Sequence, residues 1–255
     1  MKAVIYGNTV EAVARPVSLH HCTPMVARVE DKQGKSKLVT KIEARETGYA
    51  APVDISWLAY AAPKYDISPD IKDYVVVNIP ALTSDVPNRN CQAFTLATLT
   101  EFDPEMGCMR YKTFVGKPCH QEHQNKVLAK AKGVILDASL QAVPHYGVAK
   151  VNLLAAFCRA KDNRLAEAIA SGSSNSYSMG ALASAFRCSV CGGIVGPAVK
   201  RTCTCKPTDY NTLHLLGSVI KGRLHYHAAV DPTFFEISSV ADPADYTANG
   251  SIIES

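Results

Sequence analysis

Apolar positions fall along this chain in two patterns, short continuous or alternating runs and one stretch of helical period. DYVVVNI (73–79) is β-branched and reads as a buried strand closed by Pro80. KAKGVILDASLQAV (130–143) and VAKVNLLAAFC (148–158) read as two more strands. In KDNRLAEAIASG (161–172), Leu165, Ala168 and Ile169 share a helical face, Asp162 or Asn163 can cap the start, and Gly172 can end it. A short helix is predicted there. AFTLATLTEF (93–102) reads as another, ended by Asp103-Pro104. MRYKTFVGKP (109–118) reads as a strand running into a loop that delivers His120 and His123, and TSDVPNRN (83–90) as a turn-rich loop. SYSMGALASAF (176–186) is an apolar, small-residue segment. LHYHAAV and FFEISSV give a final strand pair before a polar tail, ADYTANGSIIES. No internal repeat is visible. Many strands with two or three helices predict a mixed α+β or β-barrel-like domain.

Composition narrows the classes. A chain of 255 residues, 47% hydrophobic and 20% charged, is ordinary for a soluble globular protein and buries a sizeable core. A net charge of +4, taken as evenly spread, gives no expectation of nucleic-acid binding. No apolar run is long enough to span a membrane. The start, MKAVIYGNTVEAVARPV, is interrupted by Asn8 and Glu11 and does not read as a secretory signal. With nine cysteines, an odd number, reduced thiols are expected.

Two short motifs carry candidate chemistry, EHQN around His123 and NSYSMGA around Ser178. A serine hydroxyl needs a base to become a nucleophile, and the base needs an orienting partner. His123 can be the base and Glu236, in FFEISSVADPAD, the partner. Gly180 would let a peptide carbonyl approach the backbone near Ser178. His120 is a local rival to His123, and Cys119 a rival nucleophile. On the bland reading Ser178 is a core or turn hydroxyl, His123 a surface loop residue, and Glu236 faces solvent by strand alternation.

CSVCGG places Cys188 and Cys191 in a knuckle, and CTC adds Cys203 and Cys205. Four thiolates satisfy tetrahedral zinc with no open position, so a structural site is expected, with His214 as a possible substitute ligand. The alternative is free thiols on a β-hairpin. A closed site argues against a zinc hydrolase.

The ordered run TFVGKPCHQEHQN…KAKGVILDA, then NSYSMGA, then FFEISSVADPADYTA resembles the prohead (capsid maturation) proteases of tailed phages. Their catalytic domain is similar to the herpesvirus assemblin fold. The resemblance covers roughly residues 75–250 and implies His123 as base, Ser178 as nucleophile and Glu236 as third member, with Pro243 and Ala244 on the late motif. Herpesvirus enzymes use a second histidine as third member, which keeps His225 and His227 open. The implied fold is α+β, an assemblin-like β-barrel core with surrounding helices and a small zinc-knuckle insertion (187–206). Residues 1–72 would form an N-terminal segment, 73–250 the protease domain and 251–255 a tail. The implied function is a serine endopeptidase that cleaves scaffold and major capsid proteins, and itself, inside the assembling prohead in the host cytoplasm. The polar tail after Ala248 is a candidate self-processed end. Zinc would be structural and no cofactor would be needed for catalysis. A homodimer is possible, with no membrane and no specific nucleic acid as partner. The rival function is a non-catalytic virion or scaffold-associated protein with a zinc-stabilised binding hairpin.

Overall fold

A strand that is apolar on both faces has to be covered on both, and the run 148–158 is such a strand. The computed structural model describes residues 22–30, 36–44, 49–52, 56–196, 199–205, 216–245 and 247–252, with the backbone alone for those before residue 56 and for Ile252. In chain order the strands are β1 (Cys22–Glu30), β2 (Ser36–Ala44), β3 (Tyr49–Pro52), β4 (Tyr74–Thr83), β5 (Gln92–Ala93), β6 (Phe102–Asp103), β7 (Cys108–Met109), β8 (Pro118–Gln121), β9 (Gly133–Val143), β10 (Val148–Cys158), β11 (Tyr177–Leu182), β12 (Ala185–Cys188), β13 (Ile194–Val195), β14 (Val219–Ile220), β15 (Arg223–Leu224), β16 (His227–Val230), β17 (Thr233–Ser239) and β18 (Ser251–Ile252). Two helices, α1 (Ser56–Tyr65) and α2 (Asn163–Ala170), and the single turn Leu96–Leu99 complete a mixed α+β fold dominated by strands.

The main sheet has the order β11-β17-β8-β9-β10-β4-β18. It curls into a half-barrel whose two edges meet at one end: Ser176 bridges Asn249, and the Tyr177 amide donates to the Ala248 carbonyl. On β10, Leu153, Ala155 and Phe157 join the inner core with Ile135, Phe234 and Ile237. Their neighbours Leu154, Ala156 and Cys158 face the other way, against Leu58, Ala61 and Tyr65 of α1. Helix α2 adds Leu165, Ala166 and Ile169 to the inner core. Asp162 caps it by accepting from the Leu165 amide at 3.0 Å, as expected. A second sheet, β13-β12-β16-β5, stands beside the first, and β1-β2-β3 forms a separate antiparallel sheet.

Several expectations need correction. Strand β4 does not stop at Pro80 but runs to Thr83. Pro80 sits at a bulge, where the register with β10 shifts between Val151 and Asn152, and its missing N–H is tolerated at such an irregular rung. Residues 110–114 form a 3-10 turn rather than a strand. The turn holds Arg110 against three carboxylates: Glu101 at 3.2 Å, Asp103 at 3.1 Å and Asp231 at 3.0 Å. The 93–102 helix shrinks to the one turn capped by Thr95, because Gln92 and Ala93 pair with β16 and Phe102 pairs with β7. β16 and β17 are both strands but belong to different sheets, so they are not a pair. Helix α1 precedes residue 73 yet packs on the main sheet. Ala248 is fully buried and Ser251–Ile252 pair with β4, so the segment read as a polar tail includes an edge strand of the main sheet. The curled sheet is a half-barrel where a β-barrel core was expected. Residues 1–21 and His214 lie outside the described residues. No described helix is long and apolar enough to cross a membrane.

Candidate active site

Strand β17 organises the site because it pairs antiparallel with β11 and parallel with β8. Alternation sends Phe234 and Ile237 into the core and turns Glu236 and Ser238 to the opposite face. The register places Ser178 opposite Ser238 and Gly180 opposite Glu236. A bulge at Phe235, between these rungs and the Ala181–Phe234 pair, lets Phe235 and Glu236 both line the same cleft. That cleft has a volume of about 260 Å³ and is also lined by His123, Asn125, Ser178, Met179 and, from the second sheet, Gln92 and Phe186.

His123 reaches the cleft from the loop after β8. Glu122 and His123 both adopt left-handed backbone, with φ of 47° and 53°, a conformation costly for residues other than glycine. The loop is pinned to the end of β17: the Glu122 amide donates to the Ser239 carbonyl, the His123 amide to Ser238 Oγ, and the Ala241 amide to Glu122 Oε1. Held this way, His123 Nδ1 lies 2.7 Å from Glu236 Oε1. The carboxylate is fully buried (0% exposed) while the imidazole is 44% exposed. Its other oxygen accepts from Ser238 Oγ at 2.6 Å. A carboxylate is acceptor-only, so Nδ1 carries the proton and Nε2 of the neutral ring keeps its lone pair for the cleft. The hydrogen bond to Glu236 raises the His123 pKa above its ordinary value, against the burial that lowers it.

Ser178 is 8% exposed and lines the cleft with His123 and Glu236, although no hydrogen bond joins its Oγ to the imidazole. The Tyr177 amide bonds Ala248, away from β17, so by alternation the Met179 amide also points away from β17. Among the described residues that amide has no partner. Gly180 has a structural part that was not expected. A Cβ there would lie 2.7 Å from Glu236 Oε1 and 2.6 Å from Phe235 Cζ, so the missing side chain makes room for the carboxylate.

The rivals go elsewhere. His120 lies on β8 rather than in the loop, is fully buried, and has its pKa lowered by that burial. Cys119 packs in the inner core, and burial pushes its thiol well up. His227 faces Cys188 across β12–β16 with its ring over Phe186, and the His225 ring is 5.5 Å from His227. Neither lines the cleft. Ser238 was missed by the sequence reading. The signal was there, because residues i and i+2 of a strand share a face and Glu236-Ile237-Ser238 is such a triplet.

The four cysteines form a second centre. All four Sγ atoms lie within 4.8 Å of one another, with Cys188–Cys205 at 3.8 Å and Cys191–Cys203 at 3.5 Å. Ligands on a tetrahedron with arms of ~2.3 Å stand about 3.8 Å apart, so the cluster fits a four-coordinate metal ion. Burial would raise the Cys191 thiol, but hydrogen bonds from the Gly193 and Thr204 amides and the neighbouring thiols bring it down to about 5. Burial and its thiol neighbours push Cys205 up to about 12. Gly193 lets the two cysteine loops touch, since a Cβ there would lie 2.5 Å from Cys203 Cα. No protein-family profile, curated protein or solved structure matches this chain.

Proposed function

We propose that the protein is a serine endopeptidase with Ser178 as nucleophile, His123 as general base and Glu236 as its orienting carboxylate. The observation that carries the reading is the 2.7 Å contact from His123 Nδ1 to the buried Glu236, with Ser178 on the same cleft. In this mechanism Ser178 Oγ attacks the scissile carbonyl carbon while His123 Nε2 takes its proton. Glu236 stabilises the imidazolium, and the Met179 amide is placed to donate to the developing oxyanion. His123 then returns the proton to the leaving amine, and a water, deprotonated by the same base, frees the acyl group from Ser178. Ligand-free serine enzymes often hold this base and nucleophile loosely, which accords with the missing Ser178–His123 bond.

The resemblance to prohead proteases supplies the substrate class, scaffold and capsid-protein extensions, and an assemblin-like core accords with the curled sheet. The four-cysteine centre is read as structural zinc: four thiolates would fill its coordination sphere and tie two loops together. The test is labelling with a fluorophosphonate, which reacts with activated serines. Wild type gains one adduct on Ser178 by intact mass, while Ser178→Ala and His123→Ala gain none. Equal labelling of all three proteins, or none of the wild type, leaves the binding-module reading instead.

A further inference from the structure

Charge is divided unequally along the chain. Residues 187–230 carry six basic residues (Arg187, Lys200, Arg201, Lys206, Lys221, Arg223) against one acid, Asp209, a net +5. The whole chain carries +4, so everything else sums to −1. The even spread assumed from the total is wrong. Four thiolates around a divalent metal would subtract two charges, which still leaves the block at +3.

The fold ties the three arginines among them to the cysteine centre. Arg187 Nη1 donates to the Gly192 carbonyl at 3.1 Å, Arg201 Nη2 to Cys205 at 3.2 Å, and Arg223 Nη1 to Val190 at 3.4 Å. A guanidinium has five N–H donors, so the bonds of Arg187 and Arg223 each use only one of them. Lys221 and Gly222, both left-handed, make the two-residue turn of the β14–β15 hairpin. Ser189 Oγ staples that hairpin to the first cysteine loop, donating to the Leu224 carbonyl at 2.8 Å and accepting from the Tyr226 amide at 2.9 Å. Arg187, Lys200, Arg201, Lys221 and Arg223 are all exposed. Arg187, Lys200, Lys221 and Arg223 enter no ion pair among the described residues.

We propose that this cysteine-and-hairpin module binds the phosphate backbone of a nucleic acid without reading its sequence. Guanidinium forks match phosphate oxygens bidentately, and a two-stranded ribbon is narrow enough to enter a duplex groove. An acidic protein partner would instead be seated on an apolar centre rimmed by charge. Here three exposed arginines bond the cysteine loops, and the hairpin's exposed apolar side chains, Val219 and Leu224, form a single cross-strand pair. The proposal is independent of the protease reading.

The test is fluorescence anisotropy of the full-length, metal-loaded chain with a random-sequence duplex of about 30 base pairs. If five cations each neutralise one phosphate, log K against log salt has a slope of about −4.5, a loss of roughly 500-fold between ~50 and ~200 mM salt. The variant Lys200→Gln, Lys221→Asn, Arg223→Gln removes three of them, and asparagine tolerates the left-handed turn position. Its slope falls to about −1.8, a loss of roughly 12-fold over the same range. Should the triple variant fail to retain metal, the double variant that keeps Arg223 is expected at about −2.7. No binding at ~50 mM salt, or an unchanged slope in the variants, overturns the proposal. So does displacement of the duplex by an equal charge concentration of polyglutamate, which would assign the surface to an acidic protein.

Discussion

Replacing Gly180 with alanine tests whether the site depends on the room that glycine leaves. The new Cβ would lie 2.7 Å from Glu236 Oε1, 2.8 Å from Glu236 Cγ and 2.6 Å from Phe235 Cζ. Ordinary contacts to a methyl carbon begin near ~3.4 Å, so the carboxylate oxygen has to retreat by roughly 0.7 Å. Phe235 Cζ is the far end of a ring and can swing into the cleft. Glu236 Cγ sits close to its own backbone in a fully buried position and cannot. The oxygen that moves is the one 2.7 Å from His123 Nδ1. A charge-assisted bond of this kind contributes about 1.5–3 kcal/mol, which corresponds to a ~10- to 150-fold loss of rate. The assay is the rate of fluorophosphonate labelling, with the His123 pKa followed by NMR. The alanine variant should label that much more slowly and show a His123 pKa falling back toward ~6.5. In a Glu236→Ala background the same substitution should cost little more, since its effect runs through the carboxylate. A variant with full labelling rate and an unshifted imidazole, or with fully additive losses in the cycle, would refute the reasoning.

Other expectations follow from the same geometry. Because Glu236 raises the His123 pKa, the acid limb of the wild-type labelling rate should lie above ~6.5. Glu236→Gln should move that limb downward and slow labelling by about 10²- to 10⁴-fold. The raised pKa also fixes a sign for stability. The ion pair's contribution is fully present below the unfolded value of ~6.5 and is lost as pH rises through the raised folded value, so wild type and Glu236→Gln should converge in urea midpoint across that window. Native mass spectrometry should find one zinc per chain; Cys191→Ser should lose it and open residues 187–205 to proteolysis, and a metal-free wild type would sink the structural-zinc reading. Phe234 is fully buried and stacks on Phe114 at a centroid distance of 4.1 Å. Phe234→Ala should therefore cost about 3–5 kcal/mol in urea denaturation, and a cost below ~1 kcal/mol would show that the site strand is not anchored there.

Strand 148–158 was legible because a run buried on both faces leaves little choice of conformation, and strand 133–143 because its middle alternates between buried and half-buried positions. Helix 163–170 was legible from its cap and its apolar face. Residues 110–114 were not, because their alternation imitates a strand and only the distant Asp231 and the nearby Glu101 and Asp103 explain the turn at Arg110. At the site, the types of His123, Ser178 and Glu236 were readable but their meeting was not. It depends on a parallel pairing of β17 with β8 and on a bulge at Phe235, neither of which leaves a local signature. The room that Gly180 leaves for Glu236 was not legible for the same reason: that neighbour lies across the sheet, not along the chain. Charge was misread because a whole-chain total conceals where the charges sit.

The place of β17 between β8 and β11 has a consequence for the newborn chain. The base and its carboxylate are 113 residues apart, and at ~5–20 residues per second a ribosome needs about 6 to 23 s to make that interval. During this time β8 and β11 lack the strand that joins them, and His123 has nothing to orient it. Ser178 is synthesised well before Glu236. On the proposed serine-protease reading the growing polypeptide is thus inert by construction, and the proposed chemistry switches on only when the strand that completes the sheet slides into the gap.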